Sequence, residues 1–204
     1  MDPRLQEKDI LVFDVGNVLV RFDHRMISEG FGLPPALEEA VFGTGLWAWI
    51  DSGLMCTGDL ARLMCRTVPT ESREDYLLVC RLLDEFYRFL VPLAPSLWLP
   101  ELKAAGKKLY YLSNYASPAF ERTMERFPFF QAFDGGVVSA HEHIIKPMPA
   151  IYRLLCRRYG FSPEDALFID DNEANCEAAR KEGFSVWCHR GEDIPADDLQ
   201  AAGR

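Results

Sequence analysis

The stretch at residues 10–20, ILVFDVGNVLV, constrains this chain more than any other. Ile10, Leu11, Val12 and Phe13 form a short run of β-prone apolar residues, the pattern of a strand buried on both faces. The run stops at Asp14, and Gly16-Asn17, a dipeptide typical of tight turns, follows at once. A carboxylate therefore sits at the carboxyl end of a buried strand, the lip on which open α/β sheets bind their ligands. Such a carboxylate is costly unless it is paired or holds a cation. The rest of the sequence has to supply that partner.

Beyond residue 20 the texture changes from strand to helix. Apolar residues recur at helical spacing over 36–42, 46–50 and 57–64. The longest such segment, 72–90, carries Tyr76, Val79, Cys80, Leu83, Phe86, Tyr87 and Leu90 on one face. This predicts a helical block at 21–91 inserted into a core made of 1–20 and 92–204; the alternative is that these helices simply cover the sheet. After a linker at 92–95 the order becomes helix, strand, helix, strand. A helix runs to about Ala105 and is closed by Gly106, with Pro100 expected in its first turn. Strands are predicted at 108–112, 136–139, 166–169 and 184–188, with helices at 117–127, 150–159 and 173–182. That alternation predicts an α/β fold, a Rossmann-like parallel sheet with an inserted helical cap domain. No periodicity marks the acidic tail from Arg190.

Right-handed crossovers put the carboxyl ends of all parallel strands on one edge. Asp14, Ser113-Asn114 and Asp170-Asp171 then meet there, and Lys146 enters from the loop 141–147. Pro147 keeps Lys146 out of the helical region, in an extended loop that can aim its ammonium inward. Three neighbouring carboxylates cannot all stay ionised without a cation, and hard oxygen ligands at this density suit Mg²⁺. A metal, a lysine, a hydroxyl and turn amides around one carboxylate make a dianion receptor containing a nucleophile. Taken alone, Asp170-Asp171-Asn172 and Ser113-Asn114 are also good helix-capping sequences. His141 and His143 form an H-x-H without a third ligand nearby, so they read as loop histidines.

Composition narrows the partners. The 204 residues carry a formal net charge of −9, which argues against nucleic acid or an anionic membrane as partner. Six cysteines without a C-x-x-C spacing predict neither a zinc site nor a disulfide framework. MDPRLQEKD lacks the apolar core of a signal peptide, and no run approaches the roughly 18 apolar residues of a membrane span. A reduced, cytoplasmic protein is expected.

These residues resemble the haloacid dehalogenase-like hydrolase superfamily. Asp14 in FDVGNVLV is similar to its first motif, Ser113 in YYLSN to its second, Lys146 in IIKP to its third, and FIDDNEANCEAARKEG to its fourth. The helical block lies where the family places its first cap type, and the GNVLV form resembles a subfamily containing a glucose-1-phosphate phosphatase. The resemblance implies Mg²⁺-dependent hydrolysis of a small phosphate ester through an aspartyl-phosphate on Asp14. It implies a metal held by Asp14, the Gly16 carbonyl and Asp171, with Asp170 as a second acidic ligand or support. Asn17, Ser113, Asn114 and Lys146 would meet the phosphoryl oxygens, Lys146 would also orient Asp14, and Asn175 would stand behind the fourth motif.

One departure stands out. Where the family's phosphatases usually carry a second aspartate, the general acid and base, this chain has Gly16. Losing positioned proton transfer typically costs about 10²–10⁴-fold in rate. The chain then acts on esters with a good leaving group, borrows a donor from the insert (Asp23 and His24 are nearest in sequence), or is a weak catalyst. Beside the phosphatase stand a haloacid dehalogenase, whose chemistry needs no metal, and a phosphate- or partner-binding protein without turnover.

Overall fold

The computed structural model describes residues 2–68 and 72–190. The opening strand, β1 (Ile10–Phe13), leads through a tight loop into the short β2 (Val20–Arg21). A run of helices follows where the insert is expected: α1 (His24–Phe31), α2 (Pro35–Glu38) running on into a π-helical turn at Glu39–Gly43, α3 (Trp47–Asp51), α4 (Thr57–Cys65) and α5 (Arg73–Glu85), then a 3₁₀ turn at Phe86–Phe89. The chain returns through β3 (Val91–Pro92), which pairs antiparallel with β2. It continues through α6 (Ala94–Ala104), β4 (Lys108–Ser113), α7 (Ser117–Arg126), β5 (Gly135–Val138) and the one-turn α8 (Ser139–Glu142). Last come α9 (Pro149–Tyr159), β6 (Ala166–Asp170), α10 (Glu173–Lys181) and β7 (Ser185–Cys188).

The main sheet is parallel, in the order β5-β4-β1-β6-β7, with β1 at its centre. Side chains alternate between its faces. Leu11, Phe13, Leu109, Leu167 and Ile169 share one apolar cluster with insert residues such as Val79, Leu82 and Phe86. Val12, Tyr110, Leu112 and Phe168 pack on the other side against Ile151, Tyr152, Leu155 and Ala179 of α9 and α10. Leu11, Val12 and Phe13 are fully buried, and each such side chain stabilises the fold by roughly 1.5–3 kcal/mol. This double coverage is why β1 reads as an unbroken apolar run. Phe13 pairs with Tyr111 on one side and Ile169 on the other, so the next residues of all three strands emerge at one edge.

Some expectations change. Residues 24–31 form α1, which no apolar pattern announced, because only Ile27 and Ser28 of it are buried. Pro92 lies in β3, and Pro95 opens α6 instead of ending a linker. Pro100 sits in the interior of α6, where the proline ring removes an internal hydrogen bond at a cost of about 3 kcal/mol. Burial of Leu99 and Leu102 against the sheet offsets that cost. The segment 72–90 is α-helical only to Glu85 before tightening. Ser139 and His141 belong to α8, not to a strand and a loop. The acidic tail lies outside the described residues from 191 onward. Among the described residues, no helix is long and apolar enough to cross a membrane.

Candidate active site

Asp14 is the first residue past β1, and its N–H continues the sheet by donating to the Ile169 carbonyl at 2.8 Å. Three donors converge on its Oδ1: the Val15 N–H at 2.7 Å, the Ser113 hydroxyl at 2.8 Å and the Lys146 ammonium at 2.9 Å. They fix the carboxylate's orientation. The turn beyond it needs a left-handed residue, and Asn17 takes that role at φ 54°. The Asn17 side chain accepts from the Phe22 N–H at 2.9 Å and also bonds to Asp171.

Lys146 is 2% exposed and lies between two acids, 2.9 Å from Asp14 and 2.6 Å from Asp170. Its loop is tied to the end of β4 by a reciprocal amide pair. The Lys146 N–H donates to Asn114 Oδ1 at 2.7 Å, and Asn114 Nδ2 returns a bond to the Lys146 carbonyl at 2.9 Å. Asp170 is fully buried, and its oxygens accept from Lys146, the Asn172 N–H and Asn175 Nδ2. Capping of α10 falls to Asn172, which accepts from the Ala174 and Asn175 N–H groups. The two aspartates before it are thereby released for the site. Ser113 and Asn114 do not cap α7 either, whose N-terminus carries no side-chain cap.

Carboxylate oxygens of Asp14, Asp170 and Asp171 lie within 4.8 Å of one another. Burial pushes the Asp14 carboxyl up to about 7, with Asp170 and Asp171 adding to the rise and Lys146 opposing it. Asp171 is raised as well, by burial first and then by Asp170. Burial disfavours the charge on Lys146, but Asp14 and Asp170 more than offset that and hold the ammonium above its ordinary value. One lysine facing three carboxylates leaves this cluster short of positive charge. The donor set suits a small hard cation.

Above this floor is a cleft of about 290 Å³, the size of a small organic ester. Its floor is lined by Asp14, Gly16, Asn114, Lys146 and Asp171, and its roof by Phe22, Trp47, Asp51 and Phe86 of the insert. Phe22, Trp47 and Phe86 pack edge to face with centroids 5.4–5.5 Å apart, and Tyr115 joins Phe86 at 5.6 Å. Asp51 closes α3, with the Trp47 indole as a hydrogen-bond partner one turn earlier. Its carboxyl is pushed up to about 7, by burial first and then by the charge of Asp14. The end of α3 is fastened to α8 in three ways. The Ser139 hydroxyl donates to the Asp51 carbonyl, His143 Nδ1 meets the Ser52 carbonyl at 3.1 Å, and Gly53 packs on the Ala140 carbonyl.

Residues 8–183 match the family described as haloacid dehalogenase-like hydrolase. The chain belongs to that family. An (S)-2-haloacid dehalogenase from Pseudomonas putida is 32% identical over 121 residues, 58% of this chain and 53% of that one. The chain thus spans about half the length of the curated relatives it matches. A sesquiterpene phosphatase from Aspergillus oryzae is 32% identical over 86 residues, 42% of this chain and 44% of that one. Among solved structures, a haloacid dehalogenase family enzyme from Bacteroides thetaiotaomicron, in complex with magnesium and inorganic phosphate, has the same fold. It matches with a TM-score of 0.73 at 24% identity, over 90% of this chain and 96% of that one.

In this family member, Asp14, Gly16, Asn17, Asn114, Lys146 and Asp171 line one cleft. Ser113 and Asp170 stand directly behind Asp14 and Lys146. The two residues nearest in sequence as substitutes for the missing acid do not line it. Asp23 caps α1 by accepting from the Met26 N–H at 3.1 Å, and His24 stacks on Phe42 at 4.5 Å. His141 bonds the Ser117 hydroxyl at 2.7 Å. Asp51 carries no sequence signal of its own, because its position depends on contacts with α8, 88 residues further on. The Ser52-Gly53 pair after the Trp47 helix is the one local hint, a turn signal that can bring a helix end against another backbone.

Proposed function

We propose that this hydrolase is a Mg²⁺-dependent phosphatase of small phosphomonoesters, with Asp14 as its nucleophile. The observation that carries this reading is the acid cluster of Asp14, Asp170 and Asp171 beside Lys146. Asp14, Asp171 and the Gly16 carbonyl are the groups that would hold the ion. Asp170 contributes charge and places Lys146, since its oxygens already accept from Lys146, Asn172 and Asn175. Bound there, Mg²⁺ would neutralise the acids and the phosphoryl oxygens that approach them.

The rest falls to the chain itself. Ser113 and Lys146 hold the Asp14 carboxylate toward the phosphorus, and Lys146 offsets charge on the transferring phosphoryl group. Asn114 acts through its amide pair with Lys146, while Asn17 lines the cleft beside Asp171. Residues 21–91 act as a cap over the core, entered and left through β2 and β3. The aromatic roof suits an ester whose organic part presents an apolar face, such as a sugar ring or an isoprenoid alcohol. The glucose-1-phosphate phosphatase-like motif favours the first, and the sesquiterpene phosphatase relative the second.

The 32% identity to (S)-2-haloacid dehalogenases favours a second reading, a carbon ester formed on Asp14 with halide release. Phosphate release from a panel of sugar, isoprenyl and aryl phosphates decides between them. The phosphatase predicts release that stops with EDTA and in Asp14→Asn. Chloride release from a 2-chloro acid in EDTA, without phosphate release, selects the dehalogenase.

A further inference from the structure

We infer that Asp51, brought by the helical insert, is the proton-transfer residue of this cleft, doing the work for which position 16 lacks a side chain. The inference rests on the phosphatase reading above. Two independent features carry it. The first is a gap: a Cβ placed on Gly16 meets no atom within 4 Å beyond its two chain neighbours, so the space an acid at this position would enter is open. The second is a carboxylate lining the same cleft from the roof, close enough to Asp14 and Lys146 to feel their charges. Of the carboxylates lining the cleft, Asp14 and Asp171 belong to the acid cluster, and Asp51 stands outside it.

Asp51 is also held in place. The Tyr115 N–H donates to the Ser139 hydroxyl at 2.9 Å, and that hydroxyl donates in turn to the Asp51 carbonyl. Tyr115 follows Ser113-Asn114 directly, so one hydroxyl ties the roof acid to the strand end that supports Asp14. Gly53, at φ +65°, lets the next turn approach α8 so closely that a Cβ there would lie 2.2 Å from the Ala140 carbonyl oxygen. The raised carboxyl of Asp51 agrees with a group that carries a proton near neutrality.

The steps balance. An Asp14 carboxylate oxygen bonds to phosphorus, the ester P–O bond breaks, and the departing alkoxide takes the proton of the Asp51 carboxyl. In the second half, a water oxygen attacks the aspartyl-phosphate while the Asp51 carboxylate removes a proton from that water. The bond to Asp14 breaks, inorganic phosphate leaves, and both side chains return to their starting states.

The test uses the full chain with MgCl₂, comparing the wild-type protein with Asp51→Asn on p-nitrophenyl phosphate and on n-butyl phosphate. The expected result is a steady-state loss of about 10²–10⁴-fold on both esters. Asp51→Asn should still release one fast equivalent of p-nitrophenolate, which needs no proton to depart, and no fast equivalent of butanol. Adding Gly16→Asp to Asp51→Asn should recover about tenfold or more, because the open space accepts the side chain. Asp51→Asn within about threefold of wild type on n-butyl phosphate overturns the inference. So does a slow variant with no burst and no recovery, since Asp51 would then only shape the cleft. A wild-type protein that releases no phosphate from any ester overturns the phosphatase reading itself, and the inference with it.

Discussion

Asp14 in the floor and Asp51 in the roof face the same cleft, but the molecule holds them differently. Asp14 is gripped by its side chain: three donors from the turn, β4 and the Lys146 loop converge on one oxygen. Asp51 is gripped mainly by its backbone, through the Ser139 hydroxyl, with the indole of Trp47 beside its carboxyl group. The floor is made of strand ends whose positions follow from sheet register. The roof is made of helices whose positions follow from contacts between distant parts of the chain. A side chain held as Asp14 is cannot turn, which suits in-line attack; one held by its backbone keeps its carboxyl available for proton exchange.

The largest expected effect separates chemistry from packing in the floor. Asp14→Asn should lower steady-state phosphate release by about 10⁴-fold or more, measured with a coupled phosphate assay, while the protein stays folded. Lys146→Met should do more to the fold. It leaves Asp14 and Asp170 buried without their shared cation, which costs about 3–5 kcal/mol in denaturant unfolding at pH 8 without Mg²⁺. At pH 5.5 that cost should shrink, because the Asp14 carboxyl, raised to about 7, is then protonated. A cost independent of pH would break the contrast between a charge-built floor and a contact-built roof.

Smaller effects probe the roof. Gly53→Ala forces a left-handed alanine against the Ala140 carbonyl, at about 2 kcal/mol. Its kcat on n-butyl phosphate should fall with the displaced Asp51, while the p-nitrophenolate burst persists. The smallest effect is in stability. The folded chain holds the Asp51 proton up to about pH 7, whereas an unfolded aspartate releases it near its ordinary 3.8. Between those values the folded state binds more protons than the unfolded one, so stability falls as pH rises. Asp14, Lys146 and Tyr115 are the titrating groups that face Asp51 from the floor. Asp51→Asn removes this loss, so its melting temperature should exceed that of wild type by a few degrees at pH 8 and match it at pH 4.

The sequence exposed the floor because strand ends are marked locally. An apolar run, a polar residue and a turn suffice to locate Asp14, Ser113 and Asp170, and parallel order brings them together. The roof resisted for the opposite reason. Helical spacing identified α4 and most of α5, yet it carries no information about which residue faces the sheet edge. The substitutes nearest Gly16 in sequence, Asp23 and His24, are engaged in a helix cap and an aromatic stack. What places Asp51 is Ser139, 88 residues away in sequence. The α1 helix and the interior Pro100 escaped for a related reason: both are set by tertiary burial, which overrides local preference.

The Ser139 hydroxyl has a mechanical meaning as well. It receives the Tyr115 N–H and donates to the Asp51 carbonyl, so it is a rivet through two plates. At that corner the insert cannot lift from the sheet without stripping the rivet and carrying Asp51 away from Asp14. An open cleft is therefore a disarmed one, and the geometry for proton transfer exists only while the plates are shut.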